Sequence, residues 1–233
     1  MSTLLEIKNL SKAYKFPVLN DISLTVESGE IVGLLGPNGC GKSTMMKIVA
    51  GLIKDYSGEV LMNGLKPGIE TKKIISFLPE KTYIGNWMKI KDTIDYFKDF
   101  YADFDSVKAL SMAKHFGLHE GMKFNTMSKG MQEKLQLVLV MSRKAKLYLL
   151  DEPIAGVDPA ARDMILDLII KNYNEDASII MSTHLVNDVE RIFDKIVMMG
   201  YGQIVLNGPA DEIRKTNGKS VDQIFREVFA YVG

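Results

Sequence analysis

The sequence predicts an α/β fold built around a mostly parallel sheet. Three observations support this prediction, and each is an apolar run of strand length followed by polar residues suited to chemistry. The run at residues 31–35 precedes a glycine-rich loop, the run at 146–150 ends in two carboxylates, and the run at 178–182 is followed by a histidine. Because ligands of such sheets collect beyond the carboxyl ends of the strands, we expect a site where these three runs end.

The glycine-rich loop has the pattern Gly-x4-Gly-Lys-Ser and precedes a helix-compatible run at residues 45–50. Glycines leave backbone N–H groups free to face a phosphate, and the new helix adds unpaired donors and the positive end of its dipole. Lys42 would reach the β- and γ-phosphates, and the Ser43 hydroxyl would bind Mg²⁺. The loop predicted to bind a nucleotide comprises Gly36, Pro37, Asn38, Gly39, Cys40, Gly41, Lys42, Ser43 and Thr44.

The two carboxylates, Asp151 and Glu152, would lie beside that loop. Asp151 is placed to hold Mg²⁺, directly or through water, and Glu152 to orient and deprotonate an attacking water. Asp158 precedes a proline in the pattern of a helix N-cap, and that helix should run to about residue 172. His184 follows the next strand.

A second candidate anion site is the start of the helix predicted at residues 129–143. Ser128 is a favourable N-cap, Lys129 adds positive charge, and Gly130 leaves the backbone accessible. Taken alone, the segment has the ordinary features of a capped helix.

The rest of the chain supplies further strands and a helical segment. Residues 4–10 and 22–26 have the alternation of a half-buried sheet, and residues 58–62 and 74–78 form further predicted strands. Residues 81–145 are predicted to be a mostly helical insertion.

Aromatic residues are concentrated at the start of this insertion. They would form either the core of the insertion or a docking surface for another protein, and the sequence leaves both interpretations open. The residues are Tyr83, Trp87, Tyr96, Phe97, Phe100, Tyr101 and Phe104.

Composition narrows the class of protein. The chain has 233 residues, 46% of them hydrophobic, with 29 basic and 29 acidic side chains, so we expect no nucleic-acid partner. The single cysteine suits a reducing compartment. Since no basic segment followed by an apolar one opens the chain and no run approaches 18 apolar residues, we expect a protein that is neither secreted nor membrane-spanning by itself.

The order of these motifs resembles the nucleotide-binding subunit of ATP-binding cassette (ABC) transporters, and the resemblance covers nearly the whole chain. It implies a P-loop NTPase (RecA-like) core with an N-terminal antiparallel β subdomain and an inserted helical subdomain. It assigns Tyr14 to the adenine. The residues alone leave two alternatives open, because Tyr14 could instead pack on the sheet edge and Phe16 could take the same role. It also implies that Glu152 is the general base, His184 the γ-phosphate switch and Asp158 a dimer contact.

The resemblance further implies that Ser128, Lys129 and Gly130 form a signature segment contacting the γ-phosphate held by the other subunit of a head-to-tail dimer. The chain departs from the family pattern here, since Lys129 and Met131 stand where Gly and Gln are usual. Glu80 stands where the family usually has a glutamine that senses Mg²⁺. A carboxylate is still an oxygen ligand suited to that ion.

We therefore predict one ABC ATPase domain over residues 1–233, with Mg²⁺ as cofactor and ATP as substrate. Residues 1–80 and 146–208 would form the α/β core and β subdomain, 81–145 the helical subdomain, and 209–233 a C-terminal helical tail. The partners implied are a transmembrane permease subunit and a second copy or a homologous ATPase. The resulting location is cytoplasmic, on the inner face of the cell membrane.

Two other classes of protein share parts of this pattern. A soluble ABC-type ATPase acting on DNA or ribosomes would usually add a coiled coil, a second cassette or basic arms. A P-loop kinase or GTPase would use the same phosphate loop for different chemistry. A GTPase should carry Asn-Lys-x-Asp for guanine, and no asparagine here is followed by lysine. A kinase would not need the segment at Ser128 or a histidine after the next strand.

Cys40 lies in the phosphate loop, where a thiol at a helix N-terminus tends to have a lowered pKa. We expect maleimide labelling of this thiol to block ATP binding, and ATP to protect it.

Overall fold

The computed structural model describes residues 2–174 and 176–230, so Met1 and Glu175 of the predicted core and the last three residues of the predicted tail lie outside it. The α/β fold is confirmed, with six strands in a mixed sheet of order β5-β6-β7-β3-β8-β9. Neighbouring strands are parallel except β9, which pairs antiparallel with β8. The strands are β3 (Ile31–Leu35), β5 (Ile75–Leu78), β6 (Leu147–Asp151), β7 (Ser178–Thr183), β8 (Lys195–Gly200) and β9 (Gln203–Pro209), and the numbering includes β1, β2 and β4 of a second sheet.

The second sheet is antiparallel, with the order β2-β1-β4, and confirms the predicted N-terminal β subdomain. Its strands are β1 (Thr3–Ala13), β2 (Pro17–Glu27) and β4 (Ser57–Met62). The first two extend beyond the predicted residues 4–10 and 22–26, because long-range pairing continues through polar residues that break the apolar alternation. Lys12, for example, pairs with Leu19.

Strands β3, β6 and β7 are buried on both faces, which explains why they are nearly continuous apolar runs. The edge strand β9 alternates exposed and partly buried residues. Successive side chains of a strand point to opposite faces. In β6, Tyr148 and Leu150 pack into the core formed with the helices, while Leu147 and Leu149 pack into the core shared with the antiparallel sheet.

Helices connect the strands. Two of them, α2 and α7, are short segments that the periodicity analysis did not predict, because one or two turns provide too few residues to show a helical pattern. The helices are α1 (Lys42–Val49), α2 (Ile69–Ile74), α3 (Ile90–Phe100), α4 (Ser106–His115), α5 (Lys129–Met141), α6 (Pro159–Asn172), α7 (Val186–Val189), α8 (Ala210–Asn217) and α9 (Val221–Val228).

The aromatic residues of the helical segment divide between the interior and the surface. Phe97 and Phe104 are buried, and their rings pack at an interplanar angle of 51° with centroids 5.6 Å apart. Four others are exposed: Tyr83, Trp87, Tyr96 and Phe100. The segment therefore has an aromatic core and also an aromatic surface. Among the described helices, none has the length and apolarity needed to cross a membrane.

Candidate functional site

The strand register brings the carboxyl ends of three predicted strands together at one end of the sheet. Leu35 of β3 pairs with Thr183 of β7, and Asp151 of β6 pairs with Ser182 of β7. The segments that follow these strands surround a cleft of about 510 Å³. The cleft is lined by Val18, Asn38, Gly39, Gly41, Lys42, Ser43, Thr44, Glu80, Glu152, Ala155 and His184.

The phosphate loop is shaped by glycines in left-handed conformations. Gly39 and Gly41 have φ values of 82° and 108°, and Gly41 immediately precedes helix α1. Gly36 is required for a different reason, because a Cβ there would lie 2.4 Å from the Met199 carbonyl oxygen. The Lys42 ammonium is buried and donates to the carbonyl oxygens of Gly36, at 2.7 Å, and Pro37, at 3.2 Å.

Asp151 has the surroundings of a cation ligand. Its Oδ1 accepts hydrogen bonds from Ser43 Oγ, at 3.0 Å, and Ser182 Oγ, at 2.7 Å. Its Oδ2 is buried and has no hydrogen-bond partner among the residues that the structure describes. A buried carboxylate oxygen with no donor is costly unless a positive charge meets it. The residues therefore fit Mg²⁺, which prefers oxygen ligands, and Glu80 adds a carboxylate to the same cleft.

Glu152 lies between His184 and Lys42, which are predicted to act with it in catalysis. Its Oε2 is 3.0 Å from His184 Nδ1, and its Oε1 is 3.5 Å from Lys42 Nζ, within ion-pair range. Glu152 has a φ of 51°, which is uncommon for a residue with a Cβ and indicates a constrained turn. The Ser182 hydroxyl, which donates to Asp151, also accepts from the Glu152 N–H at 3.0 Å.

The predicted adenine contact does not line the cleft. Tyr14 is 61% exposed, and its ring lies over the Lys12 ammonium, 4.8 Å from the ring centroid. Phe16 is also exposed. Val18 is the residue of this segment that lines the cleft. The assignment of adenine to Tyr14 stays a prediction.

The predicted signature segment lies outside the cleft of its own chain. Ser128 caps α5 and accepts a hydrogen bond from the Met131 N–H at 3.3 Å, as an N-cap should. It is exposed, and a Cβ added at Gly130 would meet nothing within 4 Å. Lys129 extends into solvent, with its ammonium 3.8 Å from Glu133. The backbone here is accessible to a second molecule.

Asp158 is the N-cap of α6 and accepts from the Ala161 N–H at 3.1 Å. The predicted cap is therefore confirmed. Asp158 is also exposed at the surface, and its role as a dimer contact stays a prediction.

The prediction of a lowered pKa for the Cys40 thiol was wrong. Burial raises the pKa of the Cys40 thiol, and this effect exceeds the lowering by the Lys42 charge and by the backbone donors. The thiol is 5% exposed and belongs to the core shared with the antiparallel sheet. A helix N-terminus lowers a thiol pKa only where the thiolate can be solvated or paired.

A family model described as "ABC transporter" matches residues 19–155, more than half of the chain.

The chain belongs to the ABC transporter family.

Three similar proteins agree with this assignment. ABC transporter ATP-binding protein YtrB of Bacillus subtilis (strain 168) is 32% identical over 216 residues, covering 91% of this chain and 74% of that protein. A structure titled "Structure of ATP binding subunit of ABC transporter" superposes with a TM-score of 0.87 at 30% identity, covering 97% of this chain and 99% of that one. A third is titled "Dimeric Structure of MJ0796, a Bacterial ABC Transporter Cassette" and shares the fold, with a TM-score of 0.79 at 22% identity and coverage of 88% and 98%.

This ABC transporter ATP-binding subunit also contains site residues that the sequence analysis missed. Ser182 links Asp151 to the Glu152 backbone, and its only sequence signal was its place at the end of a strand beside His184. Val18 and Ala155 line the cleft. Nothing in the sequence alone pointed to these two apolar residues.

Proposed function

We propose that this chain binds Mg-ATP, hydrolyses it, and uses the resulting closure and opening of a head-to-tail pair to drive a separate membrane subunit. The observation that carries the proposal is the pairing of Glu152 with His184 at 3.0 Å, directly beside Lys42 and the phosphate loop. A phosphate loop alone holds a nucleotide, whereas a carboxylate at this position supplies a base for hydrolysis.

Binding of the triphosphate would begin at the loop. Backbone N–H groups at the start of α1 and the Lys42 ammonium meet the β- and γ-phosphates. Lys42 now donates to two loop carbonyls and approaches Glu152. Its contact with a γ-phosphate would therefore replace its contact with the carboxylate and leave Glu152 available to a water molecule.

Ser43, Asp151 and Glu80 are the residues that would hold Mg²⁺. The unpartnered Asp151 Oδ2 and the adjacent Ser43 hydroxyl support this assignment. When bound, the ion neutralises negative charge on the phosphate oxygens.

In the hydrolytic step, Glu152 would accept a proton from a water whose oxygen forms a bond to the γ-phosphorus. The bond from that phosphorus to the bridging oxygen of ADP breaks, and the products are ADP and phosphate. His184, hydrogen-bonded to Glu152 through Nδ1, would direct its other nitrogen toward the γ-phosphate. Preorganised donors at the loop stabilise the charge that shifts onto the phosphate oxygens.

A second molecule would complete the site. The exposed N-terminus of α5, with Ser128, Lys129 and Gly130, has unpaired backbone donors suited to a partner's γ-phosphate. The dimeric cassette that shares this fold supports such a pair. Asp158 would contribute to the contact between the two copies. In this proposal the partner is another copy of the chain or a homologous ATPase.

The membrane subunit is proposed to dock beside the segment that follows Glu80. A mainly apolar groove of about 450 Å³ borders that segment and includes Phe77, Tyr83 and Tyr101 among its walls. Trp87 is exposed nearby in sequence. Through this contact the subunit would lie on the cytoplasmic face of the membrane.

The test uses the variant Glu152→Gln. We expect it to bind ATP but to hydrolyse it at least about 100-fold more slowly, the typical contribution of a positioned base. Glu212→Gln, a matched change on the exposed face of α8, should leave turnover unchanged. Near-normal turnover in Glu152→Gln would remove Glu152 as the base.

A second measurement separates the transporter from a soluble ATPase of the same family. ATP turnover is compared with and without a co-expressed membrane subunit. We expect turnover to change when that protein is present in detergent or nanodiscs. An unchanged rate, with no co-purification, would favour a soluble ATPase acting without a membrane partner.

A further inference from the structure

We infer that Arg162 is a positioning residue for ATP hydrolysis, because it ties the turn that follows Glu152 to the helix that follows His184. The inference depends on the proposed hydrolytic function and adds a residue to it. It comes from a side chain on α6 that lies outside the nucleotide cleft and that no motif of the sequence singled out.

The guanidinium of Arg162 contacts two segments that are separate in the chain. Its Nε donates to the Val157 carbonyl oxygen at 3.2 Å, and its Nη1 donates to Asp188 Oδ2 at 2.5 Å. Val157 belongs to the turn between Glu152 and α6, and Asp188 lies in α7, four residues after His184. One side chain therefore holds both segments.

This bridge is partly shielded from solvent. The Arg162 and Asp188 side chains are 21% and 29% exposed. An ion pair protected in this way is screened less by water and salt than one in full solvent, and it constrains geometry more strongly. Arginine suits the position because its planar fork presents several donors in fixed directions, whereas lysine offers a single flexible ammonium.

The stability of α6 does not by itself explain an arginine here. Arg162 lies in the first turn of the helix, where the helix dipole disfavours a positive charge, and Asp158 already provides the N-cap. The two acceptors, in contrast, account for both the charge and the shape of the side chain. The contacts with Val157 and Asp188 are therefore the best explanation for an arginine at position 162.

The connection matters because the catalytic pair spans the same two segments. Glu152 and His184 meet at 3.0 Å near the strand ends, where Ser182 also joins the Glu152 backbone to β7. Arg162 adds a second connection on the far side of the two turns. Two separated connections fix a relative orientation that one leaves free to pivot. Without Arg162, the Glu152 to His184 geometry should become less well defined.

The same pair of elements provides a matched control. Asp163, the next residue of α6, forms an ion pair with Arg191 at 2.6 Å, and those side chains are 75% and 62% exposed. Arg191 is the second residue after the end of α7. The two pairs therefore connect the same part of the structure, but the control pair does not contact the turn at Val157. A change in kcat caused only by altered surface charge would therefore appear in the variants of both ion pairs.

The experiment measures steady-state ATPase kinetics for Arg162→Gln, Arg162→Lys and Asp188→Asn, beside the controls Asp163→Asn and Arg191→Gln. We expect Arg162→Gln to lower kcat by roughly 10- to 100-fold, as small displacements of catalytic groups do, with KM for ATP within about twofold of wild type. Arg162→Lys and Asp188→Asn should give smaller losses, because each retains one of the contacts. The controls should match wild type.

A double-mutant cycle and thermal melts complete the test. Arg162→Gln and Asp188→Asn together should lower kcat by less than the product of their separate effects. Should kcat of the Arg162 variants equal that of the controls, or fall only in proportion to the folded fraction, the inference is wrong. If Arg162→Gln does not fold, the same comparison of kcat with the controls and with the folded fraction is made for Arg162→Lys and Asp188→Asn. A wild-type chain without turnover would instead contradict the proposed function, so the two failures are distinguishable.

Discussion

Glu80 is the residue whose chemistry departs most from the family pattern among those that line the cleft. A glutamine there would offer a neutral oxygen, whereas Glu80 offers a charged one. The carboxylate attracts Mg²⁺ and repels a nucleotide that carries no metal. One side chain can therefore set how strongly this chain requires the ion.

For Glu80→Gln we expect the Mg²⁺ concentration that gives half-maximal ATP hydrolysis to rise by roughly fivefold, which corresponds to about 1 kcal/mol of electrostatic stabilisation. The measurement is a Mg²⁺ titration of ATPase rate at fixed ATP. Glu212→Gln should reproduce the wild-type curve. Superimposable titrations for wild type and Glu80→Gln would exclude Glu80 from the metal site.

Local sequence signals predicted the residues whose chemistry depends on their immediate neighbours. The loop before Lys42, the carboxylates at the end of β6 and the histidine after β7 each mark the end of a strand, and the structure brings all of them to one cleft or its wall. Their roles stay predictions. Ser182 and Cys40 show the limit, because the contacts of Ser182 and the burial of Cys40 come from elements far away in the chain.

At the scale of elements, strand β3 is held close to the segment before β8. An added Cβ at Gly33 would lie 2.6 Å from the ring of Phe193, which is itself buried. Glycine is therefore required here by packing, and its φ is not in the left-handed region. The strand that leads into the phosphate loop owes its position partly to this contact.

Gly33→Ala should lower the free energy of unfolding by about 1–3 kcal/mol, the usual cost of overpacking a core. Urea denaturation provides the measurement. Gly121→Ala is the control, because a Cβ there meets nothing within 4 Å. Adding Phe193→Leu to Gly33→Ala should recover part of the loss. A stability equal to wild type would show that the ring moves aside at no cost.

The strands and helices differ in how well the sequence predicts them. The apolar runs of β3, β6 and β7 were long enough to predict, because a strand buried on both faces has little polar interruption. The lengths of β1 and β2 depend on pairing between residues such as Lys12 and Leu19. Short helices such as α7 depend on packing, and they contain too few residues to show a helical pattern in the sequence.

At the scale of the whole molecule, each chain presents a phosphate loop on one part of its surface and the exposed α5 N-terminus on another. Ser128 does not line the cleft of its own chain. In the proposed head-to-tail pair, each of these surfaces would meet the other one on the partner chain. The pairing should therefore depend on nucleotide and on the charge at the start of α5.

This dependence can be tested in the Glu152→Gln background, where ATP persists. With Mg-ATP that variant should sediment as a dimer, and adding Ser128→Asp should keep it monomeric. Aspartate retains the capping oxygen but brings a negative charge toward the partner's phosphate. Ser220→Asp, the same change at the N-cap of α9, should leave the dimer intact. A dimer that tolerates Ser128→Asp would argue against the signature role.

The burial of Cys40 also has a practical consequence. It is the sole cysteine of the chain, and its sulfur lies in the core with a raised pKa. Thiol-directed fluorophores or spin labels should therefore react little with the native protein. A cysteine introduced on an exposed face could report movement between subunits without first replacing the native thiol beside the phosphate loop.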